Sequence, residues 1–150
     1  PDDPEIAEFR KQFKGRPNAT RSPKVLIGDT LGSSTYWHGD LLNTWANNWM
    51  KLHTKGEANF MTTNMEDNGT LTALHRMAGT GLVDTERILV LRTASNFSAP
   101  PPGEEAVWST TAEYPADSIP AKESAYLVAN TVLEALLKNW DQYGPNTPKP

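Results

Sequence analysis

Three short polar stretches carry residues that could act on one ligand. In the second, Met65 and Glu66 stand side by side. A carboxylate can accept two hydrogen bonds from a vicinal diol such as the hydroxyls of a ribose, and a methionine provides an adaptable apolar floor. In the third, Asn96 offers an amide with both donors and an acceptor. Such a group can read the edge of a heterocycle by pairing with a ring nitrogen and an exocyclic group, as Asn does with adenine. The first runs from Gly28 to Gly39. Gly32, Ser33 and Ser34 could bring backbone amides to an anion, and Tyr36 or Trp37 could be presented to a flat ring. Each has a plainer reading. Glu66 and Asp67 sit at a helix start, where the dipole favours acids. Asn96 is a turn-forming residue before a proline run. Trp37 opens a helix. Residue types alone leave both readings open.

Several other chemistries are excluded or unsupported. The 150 residues contain no cysteine, so disulfides, zinc–thiolate sites and a cysteine nucleophile are impossible. His38, His53 and His75 have no metal-ligand spacing, and no metal site is expected; His38, beside the first stretch, is the one histidine retained as a candidate. Neither GxGxxG nor a phosphate P-loop is present. Fourteen Lys+Arg against eighteen Asp+Glu give a net charge of −4, the wrong sign for nucleic-acid phosphates. No run approaches the roughly 20 apolar residues of a membrane helix. Three Asn-X-Ser/Thr sequons occur, at Asn18, Asn68 and Asn96. Asn18 is the best glycosylation candidate, in a secreted or cell-surface protein; a glycan on Asn96 would block a ligand there.

The elements that must position these stretches alternate. Lys24–Asp29 reads as a short buried strand and Asn59–Asn64 as a second. Arg87–Arg92 is the clearest, a continuous apolar, β-rich run. Helices are predicted over Trp37–His53, with Leu41, Leu42, Trp45, Trp49 and Leu52 on one stripe, over Glu66–Ala78, and over Ala121–Tyr143, stopped by Gly144 and Pro145. Trp45, Trp49 and Trp140 fall at core spacing. Asn96–Ile119 reads as a loop. Residues 1–22 form an arm with a short helix over Pro4–Phe13, read as a connector. Repeated strand–helix units imply an α/β fold with a mainly parallel sheet, whose ligands bind beyond the carboxyl ends of the strands. That rule selects the same three stretches. Three strands is fewer than the usual 5–6, and the first residue is Pro1, not Met; both predict a processed chain or part of a larger one.

The stretches, in this order, resemble the fungal and bacterial purine nucleoside permease family. The matching segments are Pro23–Thr30, Ser34–Gly39, Thr62–Leu74 and Val90–Phe97, with Glu123–Tyr126 and Leu136–Trp140 in the tail. Members of the family are longer, so the chain resembles their carboxy-terminal part. The family is itself similar to nucleoside phosphorylases and nucleosidases. That resemblance implies a three-layer nucleoside-phosphorylase-like sheet, present here as its carboxy-terminal part over residues 23–150. It also implies purine nucleoside binding linked to uptake, with ribose on Met65 and Glu66 and the base on Asn96, helped by Tyr36 or Trp37. Phosphorylases and nucleosidases place Asp or Asn at the position of Asn96. An Asn is no strong acid, and would hold a developing purine anion by hydrogen bonds instead of protonating it. If the protein is an enzyme, Asn96 is the expected catalytic residue. No cofactor is expected beyond phosphate as co-substrate of a phosphorylase. The expected partners are the nucleoside, the amino-terminal part of the protein and a second copy in a homo-oligomer.

Overall fold

A computed structural model describes residues 3–144. The chain opens with helix α1 (Pro4–Arg10). Asp3 caps it, its carboxylate accepting from the N–H groups of Glu5 at 2.8 Å and Ile6 at 3.2 Å. Pro4 takes the first helical position, where a missing N–H costs nothing. A 3₁₀ turn over Lys11–Phe13 and a short helix α2 (Pro17–Thr20) complete the arm.

One strand–helix–strand–helix unit follows. Strands β1 (Asp29–Gly32) and β2 (Phe60–Asn64) pair in parallel, joined by helix α3 (Asp40–His53), and helix α4 (Asp67–Ala78) leaves from the tip of β2. Thr30 pairs with Thr62, Leu31 with Thr63 and Gly32 with Asn64, after an irregular step between Asp29 and Thr30. Gly39 enters α3 at φ +87°, a left-handed conformation that suits glycine. This turn starts α3 three residues later than the sequence predicts and leaves Trp37 and His38 in the preceding loop.

The two other predicted strands are corrected. The first lies further along, at Asp29–Gly32 instead of Lys24–Asp29. Asn59 closes the ladder there: its backbone N–H donates to the Asp29 carboxylate at 2.8 Å and its side-chain amide to the Ile27 carbonyl at 3.1 Å. The run Arg87–Arg92 joins no ladder among the described residues. A 3₁₀ turn over Thr85–Arg87 takes its start, capped by Asp84, which accepts from the Glu86 N–H at 3.0 Å. Its residues pair with neither outer edge of the two-stranded sheet among the described residues, and a β-rich run without ladder partners is not a strand. The predicted loop after Asn96 holds a short helix α5 (Trp108–Thr111) and a 3₁₀ turn over Pro115–Ser118. The final helix is split into α6 (Ile119–Lys138) and α7 (Trp140–Tyr143). Asn139 leaves the helical region at φ −112°, ψ 33°, and its amide donates to the Ala135 carbonyl at 2.7 Å. Pro1, and Pro145 of the predicted helix stop, lie outside the described residues.

The core is small and aromatic. Phe13 is fully buried, its ring 4.1 Å from Phe97 and 5.9 Å from Trp108. Phe9 packs 5.0 Å from Tyr114. The arm is thus bound into the molecule, and Arg16 fixes its far end through two 2.9 Å bonds to the Asp40 carboxylate at the start of α3. That bidentate bond holds the Asp40 carboxyl below its ordinary range. Elsewhere apolar groups stay open. Ile27, Leu89, Leu127 and Leu137 are all more than half exposed, and so is Trp140, which the sequence predicts as packing. The surface is 11030 Å², against roughly 7,600 Å² for a compact monomer of this mass. Among the described residues, α6 and the runs before β1 and after Arg87 each leave large apolar side chains exposed. Removing the central ring tests where the core lies. Phe13→Ala should destabilise the protein by about 3–5 kcal/mol in urea unfolding, against less than about 1 kcal/mol for Leu127→Ala.

Candidate functional site

The tip of β2 is organised by one side chain, Asn64. Its carbonyl oxygen accepts from the N–H groups of Glu66 at 3.1 Å and Asp67 at 2.8 Å, which satisfies the start of α4. Its amide nitrogen donates to the Thr30 hydroxyl on β1 at 2.9 Å and to the Asp67 carboxylate at 2.8 Å. The helix cap predicted from the acids is therefore supplied by Asn64, and Glu66 makes no capping bond. Gly32 allows the close approach: a Cβ there would lie 2.9 Å from the Asn68 backbone nitrogen and 3.3 Å from the Asp67 Cβ. The chain then turns into the first loop, where the Ser33 N–H donates to the Asn64 backbone carbonyl at 3.0 Å.

Asp67 spends its carboxylate on Arg92. The Nε of Arg92 donates to Oδ2 at 3.1 Å, and Nη2 donates to Oδ1. The same Nη2 lies 3.8 Å from the Glu66 carboxylate. Arg92 thus joins the segment that carries Asn96 to the start of α4. Glu66 is largely exposed and accepts from the Met65 N–H at 3.1 Å; Met65 is half exposed. Both stand at the predicted place, between a strand tip and a helix start.

The first and third stretches also meet. The Asn96 amide donates to the Tyr36 hydroxyl at 3.3 Å. Gly39 N–H and the Asn43 amide both donate to the Ser98 carbonyl, at 2.8 and 2.6 Å, pinning the third stretch to the start of α3. Of the two aromatics, Tyr36 is exposed and Trp37 is buried. Trp37 donates its indole N–H to the Ser33 hydroxyl at 2.7 Å and stacks on Trp45, which stacks on Trp49. Trp45 and Trp49 pack on one another and keep over two-fifths of their surface open, where their spacing predicts core. Tyr36 stacks on His38 with ring centres 5.4 Å apart. Burial pushes the His38 imidazole below its ordinary range, the Phe97 backbone partly opposing, and neither ring nitrogen completes a well-formed hydrogen bond. No His, Asp and Glu cluster among the described residues could hold a metal.

A cleft of about 610 Å³ opens beside Asn96, a size in the range of small-molecule sites. Arg92, Ser95, Asn96 and Tyr114 line it; Tyr36, Trp37, Met65 and Glu66 stand outside it, Glu66 lying 3.8 Å from Arg92 and Tyr36 bonded to Asn96. Asn18 lies on the exposed face of α2 and also borders the cleft. Sequence reasoning missed Asn64, Arg92 and Tyr114. Asn64 has a local signal, since it ends a strand three residues before a helical Asp. Arg92 has a weaker one, as the cation that closes an apolar run.

These features describe a mixed helix–strand protein with a small two-stranded parallel sheet, loops at both strand tips, the Asn96 segment tied to them and an adjoining cleft. It belongs to the purine nucleoside permease family, whose sequence pattern, purine nucleoside permease (NUP), matches residues 1–148. A purine nucleoside permease of Candida albicans is 35% identical over 136 residues, 91% of this chain and 33% of the relative. A probable purine nucleoside permease of Schizosaccharomyces pombe is 32% identical over 96 residues, 64% of this chain and 27% of the relative. The chain spans about a third of the length of the curated relatives it matches. No solved structure matches it. No helix among the described residues is long and apolar enough to cross a membrane.

The network makes a stability prediction. Asn64→Ala should cost about 2 kcal/mol in urea unfolding, because it removes the cap and leaves part-buried groups unpaired. Asn64→Asp keeps the acceptor, loses both donors and sets a second carboxylate against Asp67, so it should also destabilise. A neutral Asp variant would contradict the hub.

Proposed function

We propose that this chain supplies the ribose and base contacts of a purine nucleoside site in a permease. Glu66 accepts the ribose diol, with Met65 beneath it, and Asn96 pairs with the edge of the purine beside the ring of Tyr36. Arg92 is the positioning residue. Its contacts to Asp67 and Glu66 hold the sugar end in register with the segment that bears Asn96. The observation that carries this reading is that link from Glu66 through Arg92 to the Asn96 segment, together with the bond from Asn96 to Tyr36. The names of the relatives give the ligand class.

Asn96 is no strong acid, so in an enzyme it would hold the departing base by hydrogen bonds instead of protonating it; the permease names of the relatives favour binding and delivery. With no spanning helix among the described residues, translocation itself falls to another part of the protein or to another component. The exposed apolar residues of α6 and of the two runs that lie outside the cleft, among them Ile27, Leu89, Leu133 and Leu137, pack, in this reading, against the remaining part of a three-layer sheet contributed by the amino-terminal region of the permease.

Isothermal titration of the full-length protein with inosine, adenosine and uridine tests the reading. Purines should bind and uridine should not. Glu66→Ala should weaken inosine by about 1.5–3 kcal/mol through loss of charge-assisted bonds to the diol. Equal affinity for uridine, or inosine affinity unchanged by the variant, removes the proposal. Free hypoxanthine released from inosine, with or without phosphate, would replace it with an enzyme.

A further inference from the structure

The cleft beside Asn96 has a second wall that a bare nucleoside does not use. Ile6 and Phe9 of α1 line it, together with Tyr114 and with Pro120, Leu127 and Val128 of α6. This wall is continuous with the base-reading residue. The Tyr114 hydroxyl accepts from the Phe97 N–H at 3.0 Å, and Phe97 follows Asn96 directly. The Phe9 ring lies 5.0 Å from Tyr114 and 6.3 Å from Trp108. The wall is also preformed. Phe13, fully buried, seats the arm on Phe97, and Arg16 ties its far end to Asp40.

Ribose hydroxyls set against the apolar side chains of this wall would lose water, with Arg10 and Ser124 the polar residues that α1 and α6 add to it. A ring-sized hydrocarbon group would gain by burial and by aromatic packing. The cleft, about 610 Å³, has room for such a group in addition to a base. We propose that the site takes purine nucleosides bearing an apolar, ring-sized substituent on the exocyclic nitrogen, and that Ile6 and Phe9 select it. An N6-substituted adenine keeps one exocyclic N–H, so the pairing with Asn96 survives. The inference rests on the nucleoside reading above.

Competition titration on the full-length protein, with adenosine and N6-benzyladenosine as probes, tests it. N6-benzyladenosine should bind about tenfold more tightly than adenosine, the order expected for burying part of one ring. The ratio should fall toward one in Ile6→Ser, at a part-buried position of α1, and in Phe9→Leu. Adenosine binding with no benzyl preference overturns this inference and leaves the nucleoside reading standing. A preference that both folded variants retain, shown by unchanged circular dichroism, also overturns it. Failure of both ligands to bind overturns the two together.

Discussion

The side-chain amide of Asn64 has two donors and two acceptor positions, and all four are used within the chain. Its partners belong to two elements, Thr30 on β1 and the start of α4, where Asp67 passes the constraint to Arg92. An amide bonded in this way admits one orientation, and so does the helix it starts. The tips of β1 and β2 and the Arg92 segment are therefore tied together. Gly32 permits this because any larger residue would meet the backbone of α4. Glu66 is left out of the network's strong bonds, exposed and able to accept, while Asp67 beside it is committed to structure. Two adjacent acids thus have different roles, decided by which of them Asn64 and Arg92 engage.

A second constraint comes from the opposite end of the chain. The arm buries Phe13 against Phe97, and Tyr114 takes the Phe97 N–H. The segment with Asn96 is held on one side by Arg92 and Asp67 and on the other by this aromatic core. The rest of the molecule buries little. Its surface exceeds that of a compact monomer of its mass by over a third, and α6 and the runs at 24–28 and 88–91 are among the places that leave apolar residues exposed. Exposed apolar faces of this extent mark surfaces built for contact.

Elements governed by local signals were legible in the sequence. β2 begins one residue after its predicted start and α4 likewise, because strand ends, helix starts and glycine stops are written nearby. The family, too, could be read from the middle segments, and the comparison with known permeases agrees. The third strand was not legible as it stands, since Ile88–Leu91 records only that the run wants burial and names no neighbour. The tryptophans of α3 show the same limit: spacing of four places them on one stripe without saying whether the stripe faces a core or solvent. The roles of Asn64 and Arg92 stayed hidden because a polar residue at a strand end reads as loop until its partners are in place. Even so, the three stretches singled out for chemistry come together through Ser33, Arg92 and the Asn96–Tyr36 bond.

The central claim is that strand-tip loops held by Asn64 and Arg92 form one nucleoside site. A crystal structure of the full-length protein with inosine addresses it most directly. The account predicts both ribose hydroxyls within hydrogen-bond distance of Glu66, the purine edge on Asn96, and the Arg92–Asp67 pair intact. Inosine seated away from these residues, or Glu66 and Asn96 contacting no common ligand, would contradict it.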